Sequence, residues 1–150
     1  MYETINQQLA GLLEGETDEI AAMANASALL YDAIPGLNWI GFYRLMGDLL
    51  VLGPFQGKPA CTRIPLHKGV CGACATSGKT LVVSDVHQFP GHIACDSRSN
   101  SEIVVPIPDK KGTIRCILDI DSPHYNRFSP EDQKGLEEAA AIIANVYAYE

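Results

Sequence analysis

The sequence predicts one α+β domain, in which an antiparallel sheet of about six short strands is flanked by helices from both termini that pack on one side of it. Three observations support this prediction. Apolar residues at helical spacing are confined to residues 1–35 and 129–150. The segments between are short, rich in β-branched and aromatic residues, and separated by turn signals that suit hairpins. At 150 residues, the chain is long enough for a single domain (1–150) with a hydrophobic core of its own.

The helices are predicted from their ends and their apolar faces. Apolar residues keep helical spacing from Ile5 to Leu13, and Gly15 ends this first helix. A second helix starts near Thr17-Asp18-Glu19, where an N-cap residue is followed by first-turn acids, and Pro35-Gly36 ends it. Ser129 and the proline after it predict the start of the C-terminal helix. The buried face of that helix is expected to contain Leu136, Ala139, Ala140, Ile143, Val146 and Tyr147.

Turn residues divide the middle of the chain into strands. Gly47-Asp48 predicts a hairpin, and Pro65 predicts that its strand lies at the sheet edge, because proline cannot donate to the ladder. Small residues at 69–78 suit a short helix. Residues 85–100 are polar and lack periodicity, so we expect a long functional loop. The predicted strands are 37–45, 49–52, 62–66, 80–84, 102–107 and 113–121.

The composition and charge argue against several classes of function. The net charge is −7, and the eleven lysines and arginines are scattered, whereas phosphate binding needs them clustered. No apolar run approaches the ~18 residues that would cross a bilayer. The N-terminus lacks the basic start and apolar stretch of a signal peptide. We therefore expect a cytoplasmic protein whose thiols stay reduced, with no nucleic-acid or membrane partner.

Cys95 is the strongest candidate for a reactive thiol. It lies in the polar loop beside His92 and Asp96, rather than on an apolar stripe. Nearby backbone amides and a histidine favour the thiolate, which is the nucleophilic form of cysteine. On these grounds alone, a plain loop cysteine is an equally supported interpretation.

The remaining cysteines allow a metal site, a redox pair or simple packing. Cys71 and Cys74 form a C-x-x-C motif, but the βαβ setting of a thioredoxin-type pair is missing. A structural zinc site usually pairs two such knuckles, and the chain has one, so we expect no bound metal. Cys74 and the mid-strand Cys116 are interpreted as packing residues. The zinc ligands that this interpretation sets aside are Cys61, His67, Cys71, Cys74, His92 and Cys95.

Three carboxylates interrupt otherwise apolar strands. Asp119 and Asp121 alternate around Ile120, so both project from one face of their strand, and Glu102 opens the neighbouring strand. They are either solvated strand ends or a carboxylate pocket. In a pocket, grouped acids raise one another's pKa, so that one of them can donate a proton or the group can hold an ammonium. The single tryptophan, Trp39, is a core residue by default and a pocket wall in the alternative interpretation.

Several motifs together resemble the free methionine-(R)-sulfoxide reductases, which are stand-alone GAF-domain enzymes. The resemblance covers nearly the whole chain, and its most specific part is the run Gly-His-Ile-Ala-Cys-Asp at 91–96. The other matching segments are Trp-Ile-Gly-Phe-Tyr (39–43), Gly-Val-Cys-Gly (69–72), Asp-Val-His (85–87), Ser-Glu-Ile-Val-Val-Pro (101–106), Leu-Asp-Ile-Asp-Ser (118–122) and Arg-Phe-Ser (127–129).

The resemblance implies a role for each candidate residue. Cys95 would be the nucleophile, with Cys61 and Cys71 as partner thiols, and which of the two resolves the intermediate stays open. The extra thiol Cys74, beside Cys71, is an open alternative as resolving partner. Trp39 would face the methyl group of the substrate, and Tyr43 would line the same pocket. The residues implied to bind the amino group and polarise the sulfoxide oxygen are Glu102, Asp119 and Asp121, and the catalytic set would be Cys95, Cys61, Cys71, Glu102 and Asp121.

The implied reaction reduces free L-methionine (R)-S-oxide to L-methionine. Cys95 would become a sulfenic acid and then a disulfide, which thioredoxin would reduce, and no cofactor would be needed. A homodimer is a plausible assembly for a GAF domain. The sequence also allows two other interpretations. One is a non-catalytic GAF sensor, in which the three spaced cysteines would have no function, and the other is a zinc-dependent module.

Overall fold

A computed structural model describes residues 1–92 and 96–150, which include a six-stranded antiparallel sheet. The fold class agrees with the prediction. The strands are β1 (Trp39–Met46), β2 (Leu49–Gly57), β3 (Arg63–Pro65), β4 (Leu81–Val83), β5 (Ser101–Pro108) and β6 (Ile114–Ser122). Their order across the sheet is β3-β2-β1-β6-β5-β4. The helices are α1 (Tyr2–Leu13), α2 (Glu19–Ala33), α3 (Gly69–Ser77) and α4 (Pro130–Ala144), with single 3-10 turns at Val86–Gln88 and Asn145–Tyr147.

The helix ends follow from local hydrogen bonds. Asp18 caps α2, because its carboxylate accepts a hydrogen bond from the backbone N–H of Ala21 at 2.9 Å. At α4, the Ser129 hydroxyl and the Asp132 carboxylate each accept from the other's backbone N–H in a reciprocal capping box. The N-cap of α4 is therefore the predicted one, and the N-cap of α2 lies one residue after the predicted Thr17. The whole predicted buried face of α4 and its 3-10 extension is buried.

One prediction about the helices was incomplete. We expected them to pack against one side of the sheet, and α1, α2 and α4 do form a core with one face. The short helix α3 lies against the opposite face, where it contacts β3, β5 and β6. This helix carries few large apolar side chains, so its side of the sheet is covered by small residues and leaves room for a polar site.

Strand β2 continues five residues beyond the predicted end at Leu52, because a bulge absorbs an irregular stretch. Gly41 of β1 pairs with Phe55, whereas Tyr43 pairs with Leu52, so two residues of β2 oppose one residue of β1. Proline lies in this bulge, where the loss of a ladder hydrogen bond costs little. At the sheet edge, Pro65 ends β3 as predicted.

The register of the central strands brings the three acids together. Asp121 of β6 pairs with Trp39 on one side and with Glu102 on the other. Asp119, two residues earlier, pairs with Gly41 and Val104. Because residues two apart share a face, the acids project from the same side of the sheet as the aromatic ring. This is the side covered by α3.

No helix within residues 1–92 and 96–150 is both long and apolar enough to cross a membrane.

Candidate active site

A cavity lies between the sheet and α3, and the three acids form its floor. Asp119 and Glu102 are each only 6% exposed, and Asp121 is partly buried. The Sγ atom of Cys71, in the first turn of α3, donates a weak hydrogen bond to Oε2 of Glu102 at 3.9 Å. The predicted carboxylate pocket is therefore present, and the solvated strand ends are excluded. The lining residues are Trp39, Tyr43, Ala60, Ile64, Gly69, Val70, Cys71, His92, Asp96, Ser99, Glu102, Asp119 and Asp121.

Burial makes the acids unusually weak. Desolvation is the main cause that raises the pKa of Glu102 and Asp121 well above their usual range, and it also raises the pKa of Asp119. The neighbouring charges of Asp119 and Asp121 raise the pKa of Glu102 further. Glu102 interacts with both aspartates, so the protonation of each acid depends on the others and the group behaves as one titrating unit.

One oxygen of this group is left without a donor. The Asp119 carboxylate interacts with Glu102 and with the Cys71 thiol, yet its Oδ1 is buried and accepts no hydrogen bond in residues 1–92 and 96–150. A buried acceptor without a donor is costly, which is why such atoms are often completed by a ligand. This oxygen can therefore accept from a cationic or hydrogen-bonding group in the cavity.

An aromatic wall stands beside the acids. Trp39 stacks on Tyr43 and Phe55, with ring centroids 6.0 and 5.3 Å apart. Its indole N–H donates to the carbonyl of Lys58 at 3.0 Å, which fixes the plane of the ring. Gly41 is required between them, because a Cβ there would lie 2.7 Å from the Trp39 ring. Trp39 is thus both a buried residue and a pocket wall, so the two interpretations of it are compatible.

The predicted thiols are found in different surroundings. Cys95 lies outside the described residues. Cys61 is disulfide-bonded, and its carbonyl accepts a hydrogen bond from the Tyr43 hydroxyl at 2.9 Å. Cys71 is a buried free thiol, and desolvation, followed by the charge of Asp119, raises its pKa well above the usual range. Cys71 is therefore protonated at neutral pH, in contact with the acids.

The two cysteines that were interpreted as packing residues are both buried and free. Burial raises the pKa of Cys74 to about 12, and its Sγ donates to the carbonyl of Val104 at 3.6 Å. Burial likewise raises the pKa of Cys116 to about 12, on the opposite face of the sheet, where it accepts from the Tyr147 hydroxyl at 3.6 Å. Neither thiol lines the cavity.

Asn38 and Ser99 connect the long loop to the sheet through hydrogen bonds, and neither residue was predicted from the sequence. The Asn38 side chain donates to Oδ2 of Asp96 and to the Ser99 hydroxyl, each at 3.1 Å. Arg98 donates to Asp96 and is the main cause that lowers the pKa of that carboxyl to about 2. A polar residue just before an apolar strand, as Asn38 is before β1, was the available signal.

His92 also lines the cavity, from the loop side. It is half-buried, and desolvation followed by the nearby His87 lowers its pKa. The imidazole of His92 is therefore mainly neutral at pH 7, and it can accept a proton or bind a cation.

Comparison with known proteins places this architecture and site in a class. The GAF domain family model matches residues 8–147, which is nearly the whole chain. The chain belongs to the GAF domain family.

Comparison with individual relatives identifies a family within the GAF domains. The free methionine-R-sulfoxide reductase of Escherichia coli (strain K12) is 49% identical over 147 residues, covering 98% of this chain and 88% of the relative. The enzyme of the same name from Saccharomyces cerevisiae (strain S288c) is 43% identical, covering 89% and 78%. A solved structure of the Neisseria meningitidis free methionine-R-sulfoxide reductase in complex with its substrate has a TM-score of 0.93 and 44% identity, over 98% of this chain and 88% of that one. Within the GAF domains, this chain belongs to the free methionine-R-sulfoxide reductase family.

Proposed function

We propose that this protein reduces free L-methionine (R)-S-oxide to L-methionine by thiol chemistry. The observation that carries the proposal is the buried, proton-sharing group of Glu102, Asp119 and Asp121 beside the Trp39 ring. This arrangement offers the cation site, the proton and the apolar wall that such a substrate requires. The identity to relatives of that name over nearly the full chain supports the same reaction.

The ammonium group of the substrate completes the floor of the cavity. It would donate to the vacant Oδ1 of Asp119 and to Asp121, and its charge would offset the repulsion between the acids. A peptide-bound methionine sulfoxide carries an uncharged amide at this position. Its binding would leave the buried acids without a cation, so the site discriminates in favour of the free amino acid.

The sulfur end of the substrate lies against the aromatic wall. The face of Trp39 provides a flat apolar surface for the methyl group, and contacts between sulfur and aromatic rings are favourable. Glu102, which keeps its proton at neutral pH, donates it toward the sulfoxide oxygen. Sulfur becomes electrophilic only when this oxygen is protonated or strongly hydrogen-bonded, so the acid activates the substrate.

The Cys95 thiolate then attacks the activated sulfur. The oxygen, protonated by Glu102, then transfers from the substrate sulfur to Cys95 as the new sulfur–sulfur bond breaks, so methionine departs and Cys95 is oxidised to a sulfenic acid. A second thiol attacks the sulfenic acid, forming a disulfide and releasing water. An external dithiol, for which we propose cytoplasmic thioredoxin, reduces the disulfide and is itself oxidised.

We assign the second thiol to Cys61 in preference to Cys71. Cys61 is disulfide-bonded in this structure, whereas Cys71 is a buried thiol whose high pKa disfavours the nucleophilic thiolate. Cys71 instead adds a proton to the acid group through its contact with Glu102. A homodimer, which was considered from the sequence, stays a prediction that gel filtration with light scattering would test.

The test is an assay of thioredoxin-coupled NADPH oxidation on the separated R and S epimers of free and peptide-bound methionine sulfoxide. We expect turnover with the free R epimer, and turnover of the peptide at a similar rate would contradict the proposal. Cys95→Ser should abolish turnover, and Cys61→Ser should give one turnover with a sulfenic acid detectable by mass spectrometry. Cys116→Ser, whose thiol lies in the opposite core, is the matched control and should keep full turnover.

The variant Cys71→Ser decides the assignment of the second thiol. If Cys71→Ser is limited to one turnover and Cys61→Ser keeps cycling, the roles of the two thiols are reversed. Peptide mapping of the oxidised enzyme gives an independent readout, because it identifies the disulfide directly.

A further inference from the structure

Three metal-ligating atoms from different elements of the fold meet in the cavity. They are Sγ of Cys71 in α3, a carboxylate oxygen of Glu102 in β5 and a carboxylate oxygen of Asp119 in β6, and all lie within 4.8 Å of one another. All three residues are buried. The set combines a thiol with two carboxylates, which differs from the C-x-x-C knuckle that the sequence suggested and that the fold does not use, because Cys74 points to the Val104 carbonyl.

The spacing of these atoms is close to that of a zinc site. Tetrahedral Zn²⁺ holds sulfur at ~2.3 Å and carboxylate oxygen at ~2.0–2.2 Å, which places a sulfur and an oxygen ligand roughly 3.5 Å apart. The Sγ atom of Cys71 is 3.9 Å from Oε2 of Glu102. A shift of a few tenths of an ångström in either side chain would bring both atoms into coordination distance.

A second observation, independent of the spacing, points to a ligand at this place. Oδ1 of Asp119 is buried and accepts no hydrogen bond in residues 1–92 and 96–150, although its carboxylate interacts with Glu102 and Cys71. Asp119 is only 6% exposed and lines the cavity. The cavity beside the three ligand atoms can hold a water molecule as a fourth donor.

We propose that the reduced protein binds one Zn²⁺ reversibly through Cys71, Glu102 and Asp119, with water as the fourth ligand. The thiolate selects a borderline-soft cation such as Zn²⁺ over Mg²⁺ or Ca²⁺, which prefer oxygen ligands alone. Metal binding itself does not depend on the proposed reaction. The effect of the metal on substrate binding does rest on the proposed function. Because the metal binds the acids that would hold the substrate ammonium, Zn²⁺ and methionine sulfoxide exclude each other.

The test uses Co²⁺ as a spectroscopic substitute for Zn²⁺ on the full, reduced chain. Tetrahedral coordination with one thiolate gives a near-ultraviolet sulfur-to-cobalt charge-transfer band and intense visible bands. Added Zn²⁺ should remove both in a 1:1 titration. Cys71→Ser should lose the charge-transfer band, and Asp119→Asn should weaken Zn²⁺ binding more than about tenfold, since even the outer partners of metal ligands contribute that much.

Two matched controls separate this site from other thiols. Cys74→Ser removes a buried thiol one turn along α3, and Cys95→Ser removes the proposed nucleophile; both should keep the cobalt spectrum. Loss of the band in either control, or its persistence in Cys71→Ser, would overturn the proposal. If Cys71→Ser fails to fold, Asp119→Asn and the wild-type spectrum still decide, and a wild type without the charge-transfer band contradicts the site.

Competition distinguishes a failure of this inference from a failure of the proposed function. Methionine sulfoxide at ten times its Kd should raise the apparent Kd for Zn²⁺ about tenfold, because the two compete for one site. A protein that binds Zn²⁺ without any effect of the substrate would support the metal site and contradict the assigned ammonium site. A protein that binds the substrate but gives no cobalt spectrum would support the assigned ammonium site and contradict the metal site.

Discussion

The two faces of the sheet are built from the same strands but have opposite chemistry. Along β6, Leu118 and Ile120 point into the core beneath α1, α2 and α4, where both are fully buried among apolar side chains. Asp119 and Asp121 point the other way, toward α3 and the cavity. We refer to these two sides as the helical face and the cavity face.

The difference shows how a small domain separates stability from reactivity. The helical face gains free energy of folding by burying apolar surface. The cavity face loses some, because it buries three carboxyl groups whose charged forms are desolvated. Functional sites commonly have such a cost, and here the opposing core of the same strands compensates for it. Substitutions on the two faces should therefore affect stability and activity in opposite ways.

The largest expected effect is on the cavity face. Glu102→Gln removes the proposed proton donor, so kcat/KM should fall about 10²- to 10⁴-fold, the usual contribution of a general acid. The same variant should be more stable than the wild type at pH 7 to 8, by about 1–3 kcal/mol, because each unit of pKa elevation costs ~1.4 kcal/mol when the group must ionise. Steady-state kinetics and urea unfolding of the same preparation measure both quantities.

The pH dependence of this stability gain has a definite sign. In the wild type, the raised pKa means that folded Glu102 keeps its proton after the unfolded chain has lost it. Its contribution to the free energy of unfolding is complete below about 4.3, the ordinary pKa of Glu, and is lost as the pH rises above that value. The advantage of Glu102→Gln should therefore grow between pH 5 and 8. The exposed Glu138→Gln is the control, and an equal trend there would refute this explanation.

On the helical face, Leu118→Ala should cost about 2–5 kcal/mol of stability, because it leaves a cavity in a fully buried core. Leu118→Met keeps the volume and should cost less than about 1.5 kcal/mol. Both variants should retain kcat/KM at temperatures where they are folded, since the side chain points away from the cavity. Chemical denaturation measures the stability of each variant, and steady-state kinetics measure its activity. A loss of activity in Leu118→Ala while the protein is still folded would contradict the separation of stability from activity between the two faces.

A smaller effect is expected where the loop joins the cavity face. Asn38→Ala removes the two donors that hold Asp96 and Ser99, at a cost of about 1–2 kcal/mol. The backbone N–H of Asn38 keeps its bond to the Asp121 carbonyl, so the strand itself should stay paired. Amide exchange should accelerate in residues 96–100 and remain slow in β6. Equal acceleration in both segments would mean that Asn38 supports the sheet rather than the loop.

Much of the fold could be predicted because its signals are local. Asp18 and Ser129 mark helix starts by the hydrogen bonds that their own side chains accept from the next turn. The alternation of Asp119, Ile120 and Asp121 set the two faces of β6 before any tertiary information was available. Pro65 likewise located the edge strand through a missing backbone donor.

What could not be predicted depends on contacts between distant segments. The pairing of β1 with β6 brings Trp39 next to Asp121, across some 80 residues of chain, and no local pattern specifies it. The position of α3 on the cavity face, and so the contact between Cys71 and Glu102, follows from this sheet order. The bulge opposite Phe42 was also missed, because proline and glycine in β2 resembled the end of a strand.

The smallest effect should come from Cys74, which lies on the cavity face but outside the cavity. Cys74→Ala deletes a fully buried sulfur and one weak hydrogen bond to Val104, so we expect a loss of about 1 kcal/mol. Turnover should be unchanged, because burial keeps this thiol protonated, with a pKa of about 12. A thioredoxin-coupled assay measures the turnover of this variant, and its thermal midpoint measures its stability. A fall in turnover without a loss of stability would make Cys74 a third partner thiol, and the boundary between site and packing on this face would then lie one helical turn further along α3.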